Sequence, residues 1–123
     1  MQLQTIAQLD QLIGETYQEC IEACSTCALA CDACSSACLR EQNLEMLREC
    51  IELNQDCSRI CSLAADYMTR NRPWTDQVCL LCADICRACA EECEKHASMH
   101  EHCRQCAQAC RQCEEACRQM FTA

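Results

Sequence analysis

Residues 86–117 read CRACAEECEKHASMHEHCRQCAQACRQCEEAC, which sets eight cysteines and three histidines in thirty-two positions. Thiols and imidazoles are soft and borderline metal ligands, and thiols also carry redox chemistry. The stretch samples a general design, because the chain holds 19 cysteines in 123 residues. They fall in four runs: Cys20, Cys24, Cys27, Cys31, Cys34 and Cys38; Cys50, Cys57 and Cys61; Cys79, Cys82, Cys86, Cys89 and Cys93; Cys103, Cys106, Cys110, Cys113 and Cys117. Within each run the steps are three, four or seven, which puts every thiol of a run on one stripe of an α-helix. A strand would need steps of two, and none occurs.

One or two cysteines on an apolar helical face are ordinary packing. Nineteen are not, since Leu, Ile and Ala would pack an inert core better and do not oxidise. Asn54 continues the second stripe between Cys50 and Cys57; it is either an oxygen ligand or a hydrogen-bonding group, and an odd choice for a dry core. Disulfides fit poorly: the cysteine count is odd and the turn residues of disulfide scaffolds are nearly absent, with one Gly and one Pro. The six C-x-x-C pairs run through helix interiors without the strand pattern of a redox motif.

Metal binding is the remaining chemistry, and thiolates select Cu(I), zinc or iron–sulfur clusters. Stripes spread along helices do not isolate the loop-borne sets of four that iron–sulfur clusters use. A zinc ion with four thiolates carries two net negative charges, and the stripes contain no Lys or Arg to offset them. Each Cu(I) replaces one thiol proton, so a filled core with roughly one copper per thiolate stays near neutral. Neighbouring i,i+3 and i,i+4 thiols can close on one ion by rotamer changes alone. The predicted cargo is therefore multiple Cu(I) ions, roughly one per cysteine; a zinc or cadmium buffer is the alternative, and a redox-active thiol protein a more distant one.

The elements that must position these thiols are four helices, predicted at roughly 15–40, 43–70, 74–97 and 99–120 in a single domain spanning 1–123. The fold class is all-α, an antiparallel up-down bundle with a cysteine-lined core. A short extra helical segment containing Leu3, Ile6, Leu9, Leu12 and Ile13 is possible before Gly14. Asn43 is a predicted N-cap and Asn71-Arg72-Pro73 a stop. Ser98 and Glu101 read as a capping box opening the fourth helix.

The two ends of such a bundle differ. One gathers His96, His100 and His102 with Met46 and Met99; the other gathers Tyr17, Tyr67, Trp74 and Phe121, all the aromatics of the chain. The histidines are read as a mouth for copper uptake and release, with His100 and His102 in the first turn of a helix, where the dipole disfavours imidazolium. The two methionines are thioether helpers, gap-fillers or exposed surface. Glu91, Glu92 and Glu94 read as solvated surface.

A formal net charge of −9 argues against nucleic acid or an anionic membrane as partner. No phosphate-cradling glycine loop or other catalytic constellation is present. The first twenty residues lack a basic and apolar leader pattern, which predicts a cytoplasmic protein.

ECIELNQDC, residues 49–57, together with CRACAEECEKHASMHEHCRQCAQAC across the third and fourth runs, resembles the bacterial copper storage proteins in their cytosolic branch. The resemblance covers Cys20 to Cys117. It implies a four-helix bundle with ligand roles for all the stripe cysteines, a mouth role for the three histidines, and a polar core residue at Asn54. It also implies a homotetramer, and a copper chaperone or copper-requiring acceptor as a partner.

Overall fold

The computed structural model describes residues 15–121; the possible N-terminal segment before Gly14 lies outside them. Four helices follow one another: α1, Glu15–Leu39; α2, Leu44–Arg70; α3, Thr75–His96; α4, Glu101–Met120. Glu, Gln, Arg, Ala and Leu fill the positions between the cysteines, and all are good helix formers. Each helix packs on its chain neighbours, and α1 closes the ring against α4. This is a four-helix bundle, as the spacing predicts.

The joints are short and closed by backbone hydrogen bonds. Asn71 ends α2 in the left-handed region (φ 55°, ψ 53°), a conformation that Asn tolerates better than most residues. Its N–H donates to the Met68 carbonyl and that of Arg72 to the Tyr67 carbonyl, the reciprocal pair that closes a helix at its carbonyl end. Asn43 precedes α2 as predicted, yet its side chain makes no capping hydrogen bond. The capping box is corrected: α4 begins at Glu101 with His100 in the cap position, extended at φ −136° and ψ 113°. The His96 carbonyl accepts from the N–H groups of Met99 and His100. The turn after α3 thus runs through Ser98, and the chain becomes extended only at His100.

The core is sulfur. All nineteen cysteines are buried and free. The large fully buried side chains besides them are Leu47, Met68 and Asn54, with Ala64, Ala83 and Ala90 filling between. The ion pairs that tie α4 to α3 stay outside: Arg111 grips Glu94 with two hydrogen bonds of 2.9 Å and Arg118 reaches Asp84 at 3.1 Å. Such exposed pairs stabilise by at most about 1 kcal/mol each.

Candidate metal centre

The thiols form two antiparallel ladders. Between α1 and α4, Cys20 lies 3.6 Å from Cys117, Cys24 3.6 Å from Cys113, Cys27 3.7 Å from Cys110, Cys31 3.8 Å from Cys106, and Cys34 4.0 Å from Cys103. Every step up α1 is matched by an equal step down α4. Between α2 and α3, Cys50 meets Cys93 at 3.6 Å, Cys57 meets Cys86 at 3.6 Å and Cys61 meets Cys82 at 3.7 Å. Cross-links join the ladders, Cys27 to Cys57 at 3.8 Å and Cys61 to Cys113 at 3.8 Å.

Asn54 occupies the rung where a cysteine would face Cys89. It is fully buried. Its Oδ1 accepts from the thiols of Cys89 at 3.1 Å, Cys106 at 3.3 Å and Cys93 at 3.6 Å, while its Nδ2 donates to Cys50 Sγ at 3.8 Å. One amide therefore ties sulfurs from three helices together, which satisfies a polar group that burial would otherwise penalise.

Sets of four sulfurs lie within 4.8 Å of one another, and the sets overlap. Cys27 and Cys113 each belong to at least two of them, as do Cys31 and Cys110. A chain of closed tetrahedral zinc sites would use each thiolate once. Shared sulfurs suit a soft ion that accepts bridging thiolates. With metal–sulfur bonds of about 2.3 Å, sulfur pairs must stand about 3.8 Å apart for a tetrahedral ion and about 4.6 Å for a linear one. The ladder spacings are at the short end of that range, so small rotations about χ1 are enough.

Protonation follows burial and neighbours. The hydrogen bond with Cys117 pushes Cys20 up to about 12, with burial acting in the same direction. Hydrogen bonds with Cys106 and other thiols, and burial, push Cys110 up as well. Hydrogen bonds draw seven of the sulfurs down, among them Cys50 to about 4 chiefly by Cys103 and Cys82 to about 3 chiefly by Cys113. Cys103, bonded above all to Cys34, and Cys113, bonded above all to Cys117, are raised in turn. A shared proton lowers one sulfur by raising another, whereas burial raises all of them. With no cation among the thiols, the metal-free core is predominantly neutral.

The histidines stand at one end of the ladders. His102 aims Nδ1 at three sulfurs: Cys34 and Cys103 at 3.6 Å and Cys38 at 3.8 Å. Its ring lies 5.2 Å from that of His100, between centroids. His96 instead takes a 3.0 Å hydrogen bond with Glu92. Glu92 is thus not the solvated surface its sequence context suggests: its side chain is 12% exposed. Burial raises its carboxyl, but hydrogen bonds from His96 and Lys95 outweigh this and hold it below the usual range. Glu41, from the α1–α2 connection, faces both remaining rings, with oxygens 3.7 Å from His100 Nδ1 and 3.6 Å from His102 Nε2. Met46 and Met99 are exposed.

Sequence reasoning missed both carboxylates. The i,i+4 spacing of Glu92 and His96 was a usable signal; nothing local marks Glu41. At the opposite end Phe121 is buried and stacks on Tyr17 at 5.9 Å. Trp74, at the same end, is 54% exposed under a cation–π contact from Arg72 at 5.2 Å.

Comparison with known proteins agrees with this geometry. Residues 13–122 match the family described as copper storage protein. A copper storage protein of Streptomyces lividans, loaded with 10 copper equivalents, is 44% identical with a TM-score of 0.84, over 87% of this chain and 84% of that one. The metal-free copper storage protein 3 of Bacillus subtilis is 46% identical with a TM-score of 0.76, over 85% and 97%. An uncharacterized cysteine-rich protein of Bacillus subtilis strain 168 is 48% identical over 72 residues, 58% of this chain and 67% of its own length.

Proposed function

Because the chain belongs to the copper storage protein family, we propose that it stores many Cu(I) ions in the cytosol on the thiolates of its bundle core. The observation that carries this reading is the column of nineteen buried, free thiols, most of them within 4.0 Å of another sulfur, without a cation among them. Each arriving Cu(I) displaces a thiol proton and bridges sulfurs already in contact, so charge does not accumulate as the core fills. The helices need not reorganise, and loading proceeds by rotamer changes within a formed bundle.

All nineteen cysteines are assigned as ligands, with roughly one Cu(I) for each. His96, His100 and His102 form the mouth, and His102 Nδ1 is the nitrogen closest to the sulfurs. Asn54 stands in the middle of the column as a polar group among four thiols. The role is storage and sequestration, not catalysis. Two related solved proteins support the choice of ion: the Streptomyces lividans protein is described as loaded with copper, and a second copper storage protein, 44% identical with a TM-score of 0.83, as Cu(I)-bound. Another related structure is described as cytosolic.

A homotetramer completes the proposal. Leu29, Leu39, Leu44, Leu63 and Leu81 are exposed and supply apolar surface for packing between copies. A copper chaperone would deliver the ion and a copper-requiring acceptor receive it. The deciding experiment is an anaerobic Cu(I) titration of the reduced protein against a competing Cu(I) chelator. Tight binding that saturates near the thiol count is expected. Saturation after a few ions, with tighter zinc binding under matched conditions, would instead establish a zinc buffer.

A further inference from the structure

His102 is the ring that faces the sulfur column, and its two nitrogens live in different surroundings. Nδ1 meets the thiols of Cys34, Cys38 and Cys103 at 3.6 to 3.8 Å. Nε2 is buried and has no hydrogen-bond partner. The group closest to supplying one is Glu41 Oε1 at 3.6 Å, beyond hydrogen-bond length but within reach of a small side-chain adjustment. The second oxygen of the same carboxylate lies 3.7 Å from His100 Nδ1.

We propose that Glu41 is the positioning residue of this end of the bundle: it holds His102 as the Nε2–H tautomer, so that the Nδ1 lone pair is presented to the thiols and to incoming copper.

The argument is one of complementary charges. With the proton on Nε2, an N–H dipole points at a carboxylate and a lone pair points at a cluster of thiols, which are weak donors. With the proton on Nδ1, a lone pair would face the carboxylate and have no donor, while an N–H would face sulfurs, which are poor acceptors. Histidines that bind metal have their tautomer set by the group on the other nitrogen, commonly a carboxylate. The backbone fixes the position of the connection that carries the carboxylate. The N–H of Glu41 donates to the Cys38 carbonyl at 3.1 Å and that of Arg40 to the Ala37 carbonyl at 3.1 Å, so the connection is pinned to the end of the same helix that supplies Cys34 and Cys38. By spanning His100 and His102, one carboxylate also sets the separation of the two rings.

The consequence for copper rests on the storage reading, but the tautomer does not. The first measurement is therefore made on metal-free protein: ¹⁵N chemical shifts of the His102 ring nitrogens by long-range correlation NMR, in the parent protein, Glu41→Ala and Glu41→Gln. The parent should show a protonated Nε2 and an unprotonated Nδ1. Glu41→Ala should move His102 toward the opposite tautomer or a mixture, and Glu41→Gln, whose amide oxygen still accepts, should restore the parent pattern. A parent with the proton on Nδ1, or the same tautomer in Glu41→Ala, overturns the proposal. The second measurement is stopped-flow transfer of the first Cu(I) equivalents from a chelated donor. Glu41→Ala should slow it about tenfold, in line with the loss of other carboxylates that support ligating histidines, with Glu41→Gln between and the final capacity unchanged. An unaltered rate overturns the functional half. A parent protein that takes up only a few coppers overturns the storage reading and leaves the tautomer result to stand by itself.

Discussion

Raising the pH of the metal-free protein tests whether its thiols are held neutral by the fold. An ordinary cysteine titrates near 9.0, whereas the hydrogen bond with Cys117 and burial hold Cys20 to about 12. Between those two values the unfolded chain has released the proton and the folded chain has kept it. The folded state then binds more protons, and stability must fall as pH rises. It is fully present below about 9 and lost through the window up to about 12. At pH 10 a thiol that stays protonated in the fold costs about 1.4 kcal/mol relative to the unfolded chain. About five such thiols together cost about 7 kcal/mol, comparable with the whole stability of a small domain. Twelve thiols are raised, Cys24, Cys61, Cys79 and Cys110 among them with Cys20, so five is a low count. Copper removes the effect, because a thiolate bound to Cu(I) has no proton to lose. The assay is urea unfolding followed by circular dichroism under anaerobic, reducing conditions between pH 7 and 10.5, with and without copper. The metal-free midpoint should collapse above pH 9 while the loaded protein stays nearly flat. A metal-free midpoint constant to pH 10.5 would refute a core of neutral thiols.

Replacing His96, His100 and His102 together with Ala should slow copper uptake and removal while leaving most of the capacity, since the sulfurs lie deeper; unchanged kinetics in stopped-flow transfer would remove the mouth. Phe121→Ala should cost about 3 kcal/mol of metal-free stability, the low end for a buried Phe because it sits at the last turn. Its stack on Tyr17 covers the end of the column that holds Cys20 and Cys117. A loss below about 0.5 kcal/mol in urea unfolding would show that this end is not sealed by the pair.

Much of this molecule is local and therefore readable along the chain. Helical spacing is a property of successive residues, so the steps of three and four placed each thiol on a stripe, and the stripes could face only one another. The choice of Cu(I) also came from the sequence, because the absence of Lys and Arg in the stripes is a charge argument that needs no coordinates. What came from tertiary structure is register. The offset between antiparallel helices decides that Cys57 meets Cys86 and that Asn54 meets Cys89 rather than a methyl group. No pattern within one helix encodes that offset, which packing along the whole bundle sets. The same holds for Glu41, which sits in a connection, far in sequence from the two histidines it faces. It also holds for the aromatics: Tyr17, Trp74 and Phe121 belong to one end by topology, but only packing sends Phe121 inward and leaves Trp74 in solvent. The sequence determined the cargo and the stripes that carry it; the fold decided which sulfurs share an ion and which carboxylate aims the ring at the mouth, because those are contacts between surfaces that meet only once the four helices pack.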